Sequence, residues 1–162
     1  HITFRTEQHT MTASTSLRGI AAFLGVTLLP AIALSAQTAT VTVRDVWVRE
    51  AAAGRPTTAA FLVLENKGDV VRALLRGTAS VGDTLELHEM KRDNGMMRMS
   101  PVARIEIPAH GEVALRPGGL HLMIFGLKAP LTVADTVALT LTFDDGKTLS
   151  LKAPVRAMQG MP

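Results

Sequence analysis

Val137-Ala-Leu-Thr-Leu-Thr-Phe-Asp-Asp-Gly-Lys-Thr-Leu-Ser-Leu-Lys-Ala-Pro-Val155 consists of two alternating runs around a turn. Successive side chains of a strand point to opposite faces. Val137, Leu139, Leu141 and Phe143 therefore share one face of a first strand, and Leu149, Leu151, Ala153 and Val155 share one face of a second. Asp144-Asp-Gly-Lys147 between them supplies the residues that a tight reversal needs. The stretch predicts a hairpin, and the same pattern continues toward the N-terminus. Val41–Arg49 and Ala59–Glu65 read as strands, the latter ending at the turn signal Asn66-Lys-Gly68. Further strands are predicted at Val71–Leu75, Thr84–Met90, Met97–Ile107, Glu112–Leu115 and Leu120–Leu127. Turn signals separate them at Gly82, Asp93-Asn-Gly95, His110-Gly111, Pro117-Gly-Gly119 and Lys128-Ala-Pro130. Short strands with frequent turns, and no helical stretch, internal repeat or second domain, predict an all-β sandwich or barrel.

The 162 residues are 47% hydrophobic and 19% charged, the composition of one globular domain with a short addition. There is no cysteine, which excludes disulfides, zinc-thiolate knuckles, iron–sulfur clusters, cysteine nucleophiles and the copper-thiolate bond of blue-copper carriers. The net charge of +3 arises from basic residues scattered singly, with 4% aromatics and no tyrosine, so no nucleic-acid partner is expected. Arg18 precedes the mostly apolar run Ile20–Leu34, after which small residues stand at Ser35, Ala36 and Ala39. That is the layout of a secretory signal. The run is interrupted by Pro30 and is shorter than the ~20 residues that cross a bilayer, so no stable membrane span is expected after cleavage. The expected organisation is a signal peptide over residues 1–36, with 1–10 an over-extended start upstream of Met11, a β-sandwich domain over 37–156, and a flexible tail over 157–162.

Three histidines follow the signal, His88, His110 and His121. All three, and five of the seven methionines there, lie between residues 88 and 123. Imidazole and thioether without thiolate form a ligand set that favours copper, and the soft thioether favours Cu(I). His121-Leu-Met123 on a strand turns both donors to one face, and His88-Glu-Met90 has the same spacing on another. Met97 and Met99 share a face on a third, and period alone does not choose among Met90, Met97 and Met99. A lone methionine is ordinary core filler. Two His-x-Met tripeptides in one small domain are harder to assign to packing, since histidine is an uncommon core residue.

These residues resemble the periplasmic copper chaperones called PCu(A)C. The family's motif is a His, ten residues, a Met, twenty-one residues, then His-x-Met, and both gaps are matched by His88, Met99, His121 and Met123. The likeness extends through Val46-Trp47-Val-Arg49, Ala59-Ala-Phe-Leu62, Leu64-Glu-Asn-Lys-Gly68, Leu85-Glu-Leu-His-Glu-Met90, Gly95-Met-Met-Arg-Met99, Leu115-Arg-Pro-Gly-Gly-Leu-His-Leu-Met123, Leu139-Thr-Leu-Thr-Phe143 and Ala153-Pro-Val-Arg156. The resemblance implies a cupredoxin-like Greek-key β-sandwich that binds one Cu(I) through these two imidazoles and two thioethers. It implies a periplasmic location and no enzymatic activity. It also implies exchange with copper-donating or copper-accepting proteins such as cytochrome c oxidase assembly factors, with the dicopper centre of the oxidase as destination. Some relatives carry a His- and Met-rich C-terminal extension, whereas here the tail offers only Met158 and Met161.

The remaining residues have simpler readings. His110 in Pro108-Ala-His-Gly111 is expected to face solvent, Trp47 to pack at the core or its rim, and Pro117-Gly118-Gly119 to launch the His121 strand. Glu86 and Glu89 flank His88 as acceptors for a ring N–H, and alternation turns Glu89 away. Two other readings compete: a redox-active copper protein, disfavoured by the missing thiolate, and a metal-free secreted interaction domain with a methionine-rich patch. No nucleophile–base pair or phosphate loop supports a hydrolytic enzyme.

Overall fold

The computed structural model describes residues 40–157, which form ten strands and no helix. The predicted signal segment 1–36 and residues 158–162 of the tail lie outside the described residues. The strands are β1 (Val41–Arg49), β2 (Thr57–Asn66), β3 (Arg72–Ala79), β4 (Thr84–Asp93), β5 (Met96–Pro101), β6 (Ile105–Ile107), β7 (Gly111–Leu115), β8 (Leu120–Phe125), β9 (Thr136–Phe143) and β10 (Thr148–Arg156). They pair in the order β5-β4-β8-β2-β1-β10-β9-β3-β6, with β7 beside β8 along the same edge of β2. All ladders are antiparallel except β1 with β10, which meet at Val48↔Val155 and Arg49↔Arg156. A single pair, Gly77↔Leu85, also joins β3 to β4. Leu62, Leu64, Leu87, Leu122 and Ile124 from one half pack with Leu74, Ile107, Leu139, Leu141 and Phe143 from the other in one buried cluster.

The β9–β10 hairpin has Thr142 opposite Thr148, and its loop carries Gly146 at φ 76°, where a Cβ is disfavoured. The β4–β5 hairpin turns through Asn94 (φ 49°) and Gly95 (φ 82°), the left-handed pair that matches a two-residue connection to strand twist. The single strand predicted over Met97–Ile107 is instead two. β5 pairs with β4 and β6 with β3, so the chain crosses from one half of the sandwich to the other at 102–104. Both pieces alternate, and nothing in the local pattern marks the crossing.

β1 contains a bulge that alternation does not reveal. Arg44 lies opposite Val63 and Trp47 opposite Phe61, so three steps on β1 face two on β2, with Asp45 at φ 53°. The extra residue reverses the facing of the strand. Val41 joins the core before it and Val48 after it, while Trp47 turns to the opposite side and packs on Phe61 with ring centroids 4.6 Å apart.

Gly82 fixes how β4 approaches β8. A Cβ there would lie 2.6 Å from the Phe125 carbonyl oxygen and 2.6 Å from Ile124 Cγ2, and the next residue, Asp83, donates its N–H to that same carbonyl at 2.8 Å. Gly82→Ala should therefore cost ~1–3 kcal/mol, the range for a forced contact in a packed site. Gly119→Ala, whose Cβ meets only Arg116 O at 3.8 Å, should change stability by less than ~1 kcal/mol. Denaturant titration of both variants checks this, and equal losses would contradict it.

Candidate metal centre

On β4 and β8 the alternation divides two chemistries. Leu85, Leu87, Leu122 and Ile124 enter the core, so Glu86, His88, Met90, His121 and Met123 stand on the other face of the same strands. The ladder then sets them beside each other. His88 lies opposite His121, Glu86 opposite Met123, Met90 opposite Met99, and Ala59 of β2 opposite Met123. Directly opposed residues of an antiparallel pair share a face. His88, Met99, His121 and Met123, up to thirty-five positions apart in sequence, thus project from one side of three adjacent strands, β5, β4 and β8.

The rings are buried although they lie outside the core, His88 at 6% and His121 at 4% exposure. Their centroids are 5.9 Å apart, and they are flanked by Phe125 at 5.9 Å from His88 and Phe61 at 6.4 Å from His121. The sulfur bearers are more open: Met99 is 47% exposed and Met97 48%, both on the outermost strand β5. A hollow of about 420 Å³ is lined by His121, Met123, Met99, Met97, Met90 and Phe61, and bounded by Ala59, Arg49, Pro117 and Gly118. His88 is not part of this lining.

Hydrogen bonds assign a role to each ring nitrogen. His121 Nδ1–H donates to the Gly119 carbonyl at 3.0 Å, and His121 Nε2 lies 3.2 Å from Met99 Sδ. A thioether has no proton to give. In the neutral ring, with Nδ1 carrying the proton, two lone-pair donors therefore face each other, an arrangement that a cation between or beside them would satisfy. His88 Nε2–H donates to Glu86 Oε2 at 2.9 Å, and His88 Nδ1 is buried with no hydrogen-bond partner. Each ring thus has one nitrogen held by an acceptor and one left with its lone pair, the division found in metal-binding histidines. Among the described residues no three His, Cys, Asp or Glu side chains gather in a group able to hold a metal ion, so an ion seated here relies on sulfur.

Of the two flanking carboxylates, Glu86 meets the imidazole, and Glu89 turns to Lys91 at 2.8 Å. His110, held at φ 51°, pairs with Asp69 at 2.7 Å on the surface, with its side chain 64% exposed and away from this cluster. Trp47 is half-buried on the hollow's side of β1. Sequence reasoning missed Phe61 and Phe125 as walls of the imidazole pair, and the Gly119 carbonyl as the acceptor that orients His121. The first two have no local signal. The third follows from the i, i−2 relation once the turn before β8 is known.

The fold is the cupredoxin-like sandwich of PCuAC domains. A copper-bound PCuAC domain from PmoF2 superposes with a TM-score of 0.63 at 18% identity, over 74% of this chain and 94% of that one. The chain belongs to the LpqE-like family, whose model, described as "Putative lipoprotein LpqE-like", matches residues 41–155. A protein of Leifsonia xyli subsp. xyli named "Putative lipoprotein Lxx21020" is 38% identical over 121 residues, covering 74% of this chain and 72% of its own length. DR1885 from Deinococcus radiodurans is also similar. Its apo form is 33% identical, covering 94% of this chain and 97% of its own, with a TM-score of 0.59. Its CuI form is 32% identical over 76% and 85%, with a TM-score of 0.53.

The hydrogen bonds predict opposite tautomers for the two rings. Nitrogen-15 spectra of the metal-free protein, recorded well above pH 7 where imidazole is ordinarily neutral, should show His121 protonated at Nδ1 and His88 at Nε2. A His121 protonated at Nε2 would contradict the geometry.

Proposed function

We propose that this protein is a periplasmic copper chaperone, exported by a cleaved signal, that binds one Cu(I) through His88, Met99, His121 and Met123 and passes it to an acceptor protein. The observation that carries the reading is the approach of His121 Nε2 to Met99 Sδ at 3.2 Å, with the other nitrogen of that ring engaged by Gly119. The 32% identity to CuI-DR1885 supports it independently.

The donor set matches the ion. Two imidazoles and two thioethers are neutral, and thioether sulfur ranks copper(I) above harder divalent ions. The Glu86 carboxylate bonded to His88 supplies a negative charge that offsets the single positive charge of the ion. No thiol has to be deprotonated, so capture through the thioethers releases no proton.

Transfer follows from where the donors sit. His121 and Met123 stand on β8, between β4 and β2, and His88 on β4, between β8 and β5. Met99 stands on the outermost strand with nearly half its surface in solvent. Its side chain is the ligand free to swing away, opening a coordination position to an incoming donor while the buried imidazoles hold the ion. For the acceptor we propose the copper-receiving machinery of cytochrome c oxidase, ending at its dicopper centre.

Competition titration against a Cu(I)-specific chelator under reducing conditions tests the assignment. Met99→Leu should weaken Cu(I) binding by roughly tenfold or more, about 1.4 kcal/mol per decade. Met90→Leu and Met97→Leu should weaken it far less. Leucine removes the sulfur while nearly keeping volume, so the fold should lose less than ~1.5 kcal/mol. Zn(II) and Cu(II) should bind more weakly than Cu(I). Equal or tighter Zn(II) binding would contradict the reading, and equal damage from Met90→Leu and Met99→Leu would reassign the ligand.

A further inference from the structure

The outermost strand of the ladder that carries the candidate ligands is β5. Among the described strands β5 is bonded to β4 alone and ends the strand order, and all six of its residues are exposed. Its backbone orientation follows from two observations. The β4–β5 hairpin turns through two residues between Asp93 and Met96, which makes those two a hydrogen-bonded pair. Pairs alternate from there, so Arg92↔Met97 and Met90↔Met99 are non-hydrogen-bonded pairs. In agreement, Met90 N–H donates away from β5, to the Gly119 carbonyl at 3.1 Å. The N–H and C=O groups of Met97 and Met99 therefore point outward past the edge. Both residues of β5 that line the hollow thus have backbone groups facing outward.

Exposed edges are usually blunted, because they template the addition of another strand. Here the blunting is selective. An antiparallel copy of β5 in the register that sets Met97 opposite Met99 would also set Arg98 opposite Arg98, and like charges directly opposed are unfavourable. An acidic residue at that place would be favourable. The nearest acid, Asp93, holds Arg98 only at 3.4 Å between two exposed groups. Lys91, across from Arg98, and Arg92, across from Met97, add positive charge to the same hairpin.

We propose that the β5 edge docks an extended segment of the copper-exchanging partner as an added strand. The segment presents an acidic residue opposite Arg98 and soft donors, His, Met or Cys, opposite Met97 and Met99. This rests on the copper reading above. Backbone bonds to Met97 and Met99 would set the partner's donors about 4.5–5.5 Å, Cβ to Cβ, from those of the two methionines and on the same face. The ion then moves between ligands that the ladder itself has aligned.

The test uses the full chain and a synthetic peptide, acetyl-Thr-Val-Met-Glu-His-Val-Thr-amide, with a Lys-for-Glu peptide as control. In metal-free protein the Glu peptide should slow hydrogen exchange at the Met97 and Met99 amides at least tenfold and leave Arg98 and Ser100, which already bond to β4, unchanged. In Cu(I)-loaded protein, transfer to the peptide should be at least tenfold slower from Met97→Pro than from Met97→Leu. Both lack the sulfur, and only proline lacks the outward N–H; retained protection at Arg98 and Ser100 would show that the hairpin is intact. Arg98→Glu should reverse the preference between the two peptides. Equal transfer rates from the two Met97 variants, or no new protection at these amides, would overturn the proposal. Protection that rises with protein concentration without peptide would overturn it in favour of a second copy. Failure to bind Cu(I) would sink the copper reading alone, since the exchange measurement in metal-free protein tests the edge without copper.

Discussion

Everything at the candidate centre depends on the two-residue period of β4 and β8. Leu85 and Leu87, and Leu122 and Ile124, enter the core, and their burial holds the register of both strands. Each such side chain contributes ~1.5–3 kcal/mol relative to exposure. A slip by one residue would drive both imidazoles into a leucine-lined interior and turn the leucines out to the methionine face. The hydrophobic core, built from the opposite face of these strands, is thus what keeps His88 opposite His121.

The second constraint is the contrast between buried nitrogen and exposed sulfur. A buried imidazole nitrogen without a partner is costly, and here two of the four have one, Glu86 and Gly119, while a third, His121 Nε2, faces the Met99 sulfur lone pair to lone pair. The fourth, His88 Nδ1, has none. The aromatic walls Phe61 and Phe125 exclude water from the pair without offering a competing hydrogen bond. On the solvent side the side chains are thioethers, which lose little by being wet or dry. A site built this way presents a soft, flexible rim over a rigid, polar base.

Much of this was legible in the sequence, for identifiable reasons. Asp144-Asp-Gly146 and Asn94-Gly95 declare their turns because the left-handed positions Gly146, Asn94 and Gly95 favour those residue types, and Asp145 accepts from the Lys147 N–H. His121 and Met123 share a face because strand period requires it. What period does not carry is pairing: the opposition of His88 to His121 and of Met90 to Met99 depends on how separate strands align. That is why the choice among Met90, Met97 and Met99 stayed open on alternation alone. All three share the face, and only the reach of the Met99 sulfur to His121 distinguishes it. The crossing at 102–104 was hidden for a related reason, since the residues on either side alternate for two different partners.

The bulge at Asp45 has an optical consequence. By turning Trp47 out of the core and onto Phe61, it places the chain's one tryptophan a single ring away from His121. The sequence contains no tyrosine, so ultraviolet emission from this protein comes from that indole and is not mixed with phenol fluorescence. A one-residue irregularity in β1 has thus given the methionine face an intrinsic chromophore, through which events at the buried imidazoles can be followed without a label.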